Sequence, residues 1–319
     1  MKNKMEKIAT RDGFGKGLLE YGRKNKNVIS VEADLAKSTK SLLFSKEFPE
    51  RKINVGISEA DMILVSCGLA KEGKIPFAST FAIFTERAFE QIRNAVCRMN
   101  LNVKVIGSHA GLITGDDGSS AQCIEDIAVY RTLPNMIIVC PADAVEAEQA
   151  VSVIAEHKGP VYMRLTREKV PVLYDSNHKF IIGKSDTLIE GKDVAIIAYG
   201  PQVYESVAAA EELKKEGINA RVINMSTIKP LDEKAVLLAA KETGAIVTAE
   251  DHNIIGGLGG AVAEFLSSNF PTVLERVGVK DTFGESGKPA ELYEKYGLTS
   301  EDIIKAAKKA ISRKSEKAK

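Results

Sequence analysis

Short apolar runs alternate with longer stretches of helical periodicity along most of this chain. Residues 28–32, 75–79, 103–107, 136–140 and 161–164 are apolar runs of strand length, and between them helical patterns start near Thr10, Ser58, Ala82, Ala121 and Ala142. Near-continuous apolar strands separated by helices predict a largely parallel sheet covered on both faces. Around 170–189 the periodicity fades into Pro171, Asp175 and Gly183, a linker pattern. A second series follows, with strands at 194–198, 220–224, 245–248 and 272–277. Its helices cover 203–216 and 232–242, follow the glycines at 256–260, and close the chain from Ser300. The pattern predicts an α/β chain of two domains. A doubly wound, mostly parallel domain spans 5–175, a linker 176–187, and a smaller α/β domain 188–314.

The stretch 55–70 organises the first domain. Gly56 breaks a strand-like run, Ser58 has the position of a helix N-cap, and Asp61 stands where a capping box needs an acid. Glu59 is then the first residue inside the helix, beside free backbone N–H groups. Met62, Ile63, Leu64 and Val65 follow without a polar break, which predicts a helix buried nearly all round, as in a subunit contact. A carboxyl at such a helix mouth is pulled two ways: the helix dipole favours the anion and desolvation the neutral acid. By itself it is equally a first-turn acid that stabilises the dipole.

Composition narrows the class. At 319 residues, 44% hydrophobic and 27% charged, the chain has the make-up of a globular protein with material for two cores. A net charge of +1 supplies no field selecting nucleic acid or an acidic membrane. The Lys-rich ends, 1–7 and 308–319, read as solvated termini. No run of 18 apolar residues exists and the start lacks the apolar core of a signal peptide, so a cytoplasmic location is expected. Cys67, Cys97, Cys123 and Cys140 lack Cys-x-x-Cys spacing, and the histidines lack a zinc-binding pattern. Reduced core thiols are therefore expected, and no metal site by spacing. The glycines of 256–260 miss the third small residue of a dinucleotide fingerprint, and 284–289 lacks the spacing of a P-loop. Both read as backbone turns.

Candidate chemistry gathers past predicted strand ends, where parallel sheets bind ligands. Phe81 and Phe84 share a face at helical spacing and suit a flat ring. The loop 108–120 carries three glycines with His109 and Asp117 among them. Arg11, Ser38 and Arg167 stand near other element ends, and a guanidinium fork recognises phosphate.

Together these residues resemble transketolase. The likeness is carried by Lys7-Ile-Ala-Thr-Arg11, Gly56-Ile-Ser-Glu59, the run from Ser79-Thr-Phe81 to Arg87-Ala-Phe89, Gly107-Ser-His109 and Gly115-Asp-Asp117-Gly118. In the second domain Thr227-Ile-Lys-Pro-Leu231, Glu250-Asp-His252 and Ser286-Gly-Lys-Pro-Ala-Glu291 continue it. They follow the family's order and cover the pyrimidine-binding and C-terminal domains. The resemblance implies a thiamine diphosphate site shared between chains. Glu59 would hydrogen-bond N1′ of the aminopyrimidine and favour the imino tautomer that deprotonates the thiazolium. That role needs Glu59 to carry a proton while it donates. The resemblance places Phe84 on the pyrimidine with Phe81 nearby, and Arg87 where members carry Tyr or Arg. His109, Arg11, Ser38 and Arg167 would hold a sugar phosphate, and Asp117 would read a substrate hydroxyl.

Two departures shape the expectation. Ala121 stands where the family usually has His or Gln touching cofactor or donor sugar, with Gln122 beside it. The family's Gly-Asp-Gly stretch with its downstream Asn, which holds diphosphate and Mg²⁺ or Ca²⁺, is missing. The reading is thus one subunit of a split transketolase, moving a two-carbon ketol unit between sugar phosphates. A homodimer of this chain would sit in an α2β2 assembly with an N-terminal transketolase subunit that holds diphosphate and metal. The alternatives are half of a 1-deoxyxylulose-5-phosphate synthase, a 2-oxoacid dehydrogenase β-type chain, or a non-catalytic regulatory homologue.

Overall fold

The computed structural model describes residues 6–317; the outermost residues of the two Lys-rich ends, 1–5 and 318–319, lie outside the described residues. In chain order the strands are β1 (Lys7–Ala9), β2 (Val28–Glu32), β3 (Lys52–Asn54), β4 (Ile75–Phe81), β5 (Lys104–Ser108), β6 (Ile137–Val139) and β7 (Val161–Arg164). They continue as β8 (Lys169–Pro171), β9 (Asp186–Ile189), β10 (Val194–Ala198), β11 (Ala220–Asn224), β12 (Thr227–Lys229), β13 (Ala245–Asn253) and β14 (Val273–Val279).

A seven-stranded sheet runs β12-β6-β7-β5-β4-β2-β3 and is parallel except for the edge strand β12. A five-stranded sheet runs β14-β13-β10-β11-β9, with β9 alone antiparallel. β1 pairs antiparallel with β8 and ties the beginning of the first domain to its end.

The side-chain period of two sorts the first sheet into two cores. Val31, Val105 and Tyr162 face one side, where Met62 and Ile63 pack on them. Val28, Ile106 and Met163 face the other, against Phe14, Leu18 and Val151. The first of these cores is continuous with Ile197, Ile223 and Ile246 of the second sheet. The two sheets therefore share an apolar interior. A further core beneath β10, β11 and β13 is closed by Leu298, Ile303 and Ala307 near the chain's end.

The structure departs from the sequence pattern in five respects. The helix expected from Ala121 begins at Asp126: Gly118 O takes the N–H groups of Ala121 and Gln122 in a turn, and Cys123 bridges to Ala110, with Gly111 N donating to Cys123 O at 2.7 Å. The helix expected from Ala82 is a broken series that ends in a π-helical stretch, Ile92–Cys97. Thr227–Lys229 crosses from the second domain to join the first sheet beside β6. The capping box at Ser58 does not form: no side-chain bond caps the helix Glu59–Lys71. Asn54 organises this turn instead, its Oδ1 accepting from the N–H groups of Gly56 and Asp34 at 3.0 and 3.1 Å. Nor is that helix buried all round. Leu64 is half exposed, and Ile57, just before Glu59, is 76% exposed. Among the described residues no helix is long and apolar enough to cross a membrane, and all four cysteines are free and buried.

Candidate active site

Each candidate residue sits past the carboxyl end of a strand in the first sheet or at a helix mouth beside it. Arg11 opens the helix Thr10–Lys24 after β1. Ser38 lies in the short helix Ala36–Thr39 after β2, Glu59 follows β3, and Phe81 ends β4. His109 follows β5 and Arg167 follows β7. The fold thus converts six separate sequence positions into one edge.

The centre of that edge is an aromatic stack. Phe81 and Phe84 lie nearly parallel, with ring centroids 5.4 Å apart, and the His109 ring stacks 3.7 Å from Phe81. His109 has a positive φ of 59°, a conformation that costs a bulky side chain energy and aims its ring at the stack. Arg11 Nη1 donates to His109 Nε2 at 3.0 Å and to the carbonyl of Ser38 at the same distance. A guanidinium only donates, so Nε2 must be an acceptor and the proton resides on Nδ1. Nδ1–H then donates to Ser108 Oγ at 2.8 Å. Burial, reinforced by Arg11, Arg167 and Lys40, pushes the imidazole down to about 3, and burial also lowers the Arg11 guanidinium from its ordinary value.

A cavity of about 250 Å³ opens beside this stack, with Arg11, Thr114 and Arg167 in its wall. Arg167 donates to Thr114 O and to Asp117 Oδ1, both at 3.0 Å. The two groups expected to bind different parts of a substrate are here paired with each other.

Glu59 is 3% exposed, and Arg87, itself 61% exposed, places Nε 3.6 Å from its carboxylate. Arg87 stands three residues beyond Phe84 on the turn Glu86–Ala88, so acid and stack meet through this turn. A buried carboxyl within reach of one exposed cation has spare hydrogen-bonding capacity, and Phe84 is only partly covered. These features fit an aminopyrimidine-like ring.

Gln122 does not serve the position of Ala121. Its Nε2 donates to the carbonyls of Gly115 and Glu285 at 3.0 and 2.8 Å, which stitches the site loop to the second domain. Sequence reasoning missed three further groups. Ser108 Oγ accepts from the His109 Nδ1–H that the Arg11 contact selects. Asp251 Oδ1 accepts from the N–H of Leu112 at 2.9 Å and Oδ2 from that of Ile113 at 3.2 Å, bracing the loop from the second sheet. Glu86, pushed up to about 7 by burial and by Glu125 and Asp126, adjoins Arg87. Each lies inside a stretch that carries the family likeness, Ser108 in Gly107-Ser-His109, Asp251 in Glu250-Asp-His252 and Glu86 just before Arg87-Ala-Phe89, with nothing in the spacing to single it out.

This edge defines a doubly wound α/β protein with an aromatic stack and two guanidinium groups at the carboxyl end of its first sheet. Two family models match the chain: "Transketolase, pyrimidine binding domain" over residues 6–172 and "Transketolase, C-terminal domain" over 183–303. The chain belongs to the transketolase family. It is 43% identical over 312 residues to a 6-deoxy-6-sulfo-D-fructose transketolase subunit of Clostridium sp. (strain MSTE9), covering 98% of this chain and 97% of the relative. Against human transketolase it is 38% identical over 312 residues, covering 97% of this chain but 50% of the human protein. The solved inactive β4 tetramer of a split-gene transketolase superposes with a TM-score of 0.90 at 49% identity, covering 96% of this chain and 99% of that one.

Proposed function

We propose that this chain is the C-terminal subunit of a split transketolase that moves a two-carbon ketol unit from a ketose phosphate to an aldose phosphate. The single observation that carries the reading is the shared edge, on which buried Glu59, the Phe81–Phe84–His109 stack and the Arg11–Arg167 cavity wall stand together. Near-full coverage of a sulfosugar transketolase subunit, against half of the human protein, supports a split enzyme. The solved relative is a β4 tetramer described as inactive, which supports dependence on a second chain.

When bound, thiamine diphosphate supplies a stabilised carbon nucleophile that side chains lack. Glu59 would share a hydrogen bond between its carboxyl and a ring nitrogen of the bound cofactor. Phe81 and Phe84 would fix the ring plane and exclude water, and Arg87 would close over the acid. His109, neutral and accepting at Nε2 in this state, would turn to substrate together with Arg11 once a phosphate draws the guanidinium away. Arg167 and Ser38 would complete the phosphate contacts, freeing Asp117 to accept from a sugar hydroxyl. The diphosphate and its Mg²⁺ or Ca²⁺ belong to an N-terminal partner subunit, since this chain carries no Gly-Asp-Gly cradle. Exposed Ile57 and Leu64 flank Glu59 and suit a homodimer within an α2β2 assembly. Such an enzyme would work on sugar phosphates in the cytoplasm, in pentose phosphate metabolism. The functional units would be 5–175 and 188–314, joined by 176–187.

The sulfosugar relative favours one variant of this reading, a sulfonated donor. A guanidinium pair donates to sulfonate oxygens as it does to phosphate oxygens. The test reconstitutes the chain with its partner and thiamine diphosphate and offers xylulose 5-phosphate, 6-deoxy-6-sulfofructose and pyruvate in parallel. Ketol transfer from either sugar supports the proposal. Pyruvate turnover would reassign the chain to a 1-deoxyxylulose-5-phosphate synthase or 2-oxoacid dehydrogenase. Cofactor binding without turnover of any donor would leave the regulatory reading.

A further inference from the structure

Between the two sheets, away from the aromatic edge, three metal-ligating side chains converge from three different parts of the chain. Glu146 lies in the helix Ala144–Glu156 packed on the first sheet, His178 in the connecting segment, and Asp186 at the start of β9 in the second sheet. His178 Nε2 lies 3.6 Å from Glu146 Oε1 and 3.9 Å from Asp186 Oδ2. One ligand atom from each residue falls within 4.8 Å of the other two.

The His178 side chain is 8% exposed, yet its Nε2 has no hydrogen-bond partner. Two carboxylate oxygens close to one imidazole nitrogen favour a cation among the three atoms. A proton on Nε2 bridges poorly, because 3.6 and 3.9 Å exceed hydrogen-bond distance. A metal bonded at about 2.1 Å to each ligand sets tetrahedral ligand–ligand distances of about 3.4 Å, close to those present.

The surroundings fix the ligands as a metal site requires. Glu146 accepts from Ala142 N at 2.7 Å, from Asn224 Nδ2 and from Ser226 Oγ. Tyr174 donates its hydroxyl to Asp186 Oδ2 at 3.0 Å and stacks its ring 3.7 Å from His178. We propose that Glu146, His178 and Asp186 bind one divalent first-row transition-metal ion, with zinc the best match to a nitrogen–oxygen set of three protein ligands and a water. The ion clips the connecting segment to both sheets. It is separate from any ion that accompanies a diphosphate.

The test uses the full-length chain, stripped with chelator and free of thiamine diphosphate, titrated calorimetrically with zinc chloride. One ion per chain should bind, and the melting temperature should rise with zinc concentration. His178→Ala and Asp186→Asn should each weaken binding by about tenfold or more and abolish the zinc-dependent rise. These two variants are preferred to a Glu146 replacement, whose carboxylate also holds Ala142 and Asn224. Cobalt in place of zinc should give a visible absorption spectrum that is lost in His178→Ala. Absence of stoichiometric zinc in the parent chain would overturn the proposal. So would equal affinity in both variants, which would move the ion elsewhere, for instance to Glu86, Cys123 and Glu125.

Discussion

His109 is a neutral imidazole with its proton on Nδ1, because Arg11 occupies Nε2 as a donor and burial penalises the cation. A histidine whose folded value is depressed contributes stability that is present above the ordinary 6.5 and is lost as pH falls towards about 3. Its ring resonances should therefore stay unshifted in an NMR titration from about pH 8 to pH 5. A midpoint near 6.5 would contradict a ring held neutral by Arg11. Glu59 yields a second prediction. In the reconstituted complex Glu59→Gln should lower turnover roughly 10²–10⁴-fold, the range for losing a positioned proton donor. Its melting temperature should barely move, because the carboxylate's one side-chain partner is the exposed Arg87. Unchanged turnover would remove Glu59 from the chemistry. Glu59, Phe81 and Phe84 are legible in the sequence because each lies within a few residues of a strand or helix end. The Ser58 cap is not: Asn54 orders the turn before it, and the Ser58 side chain makes no cap bond. Ser108 stands in the Gly107-Ser-His109 motif but gives no sign of its role: a serine before a histidine acquires meaning only when Arg11, almost a hundred positions earlier, selects the tautomer.

The helices Thr10–Lys24 and Ala144–Glu156 approach so closely that backbone replaces side chain at their contact. A Cβ on Gly13 would meet Ala144 O at 2.0 Å, and one on Gly17 would meet Glu148 O at 2.5 Å. Spaced four apart, the two glycines share one helix face. Alanine is the better helix former by about 1 kcal/mol, but here the collision dominates. Gly17→Val should cost roughly 2–3 kcal/mol, the upper part of the range for overpacking, read as a lower urea midpoint at unchanged slope. A neutral or stabilising result would mean that the helices separate freely. This packing also matters for the edge, because the first of these helices carries Arg11. Element types are widely legible, since buried parallel strands such as Val28–Glu32 and Val194–Ala198 are apolar throughout. What escapes is set by distant contacts. β12 is three residues long and exists through β6, and the turn and bridge before Asp126 form through Gly118, Ala110 and Gly111. Local periodicity carries neither.

Across the whole molecule, the second domain builds the first domain's site. Asp251, fully buried on β13, accepts from two successive N–H groups at Leu112 and Ile113 and from the Tyr293 hydroxyl at 3.0 Å. Arg164, at the end of β7, lies close by. It donates Nε to Asp126 and Nη2 to the carbonyls of Cys123 and Asp251 at 3.2 and 2.9 Å. Gly111 is indispensable to this joint, since it has φ +82° and a Cβ there would strike Asp251 at 2.2 Å. The braced loop begins at His109 and ends at Asp117, so its shape sets the distance between the aromatic stack and the Arg167 pair. Asp251→Ala leaves two buried N–H groups without an acceptor, at about 1–3 kcal/mol each. Asp251→Asn keeps one acceptor oxygen and should lose less. Amide hydrogen exchange is the decisive measurement. Protection should fall at residues 111–117 in Asp251→Ala while β10 and β11 keep theirs, because the five-stranded sheet retains its ladder. In the reconstituted enzyme the same variant should raise KM for the phosphorylated substrate more than it lowers kcat, since Asp251 touches loop backbone and not reacting atoms. If exchange rises uniformly over both sheets instead, Asp251 is a general stability element, and the link between the second domain and the site must run through Gln122.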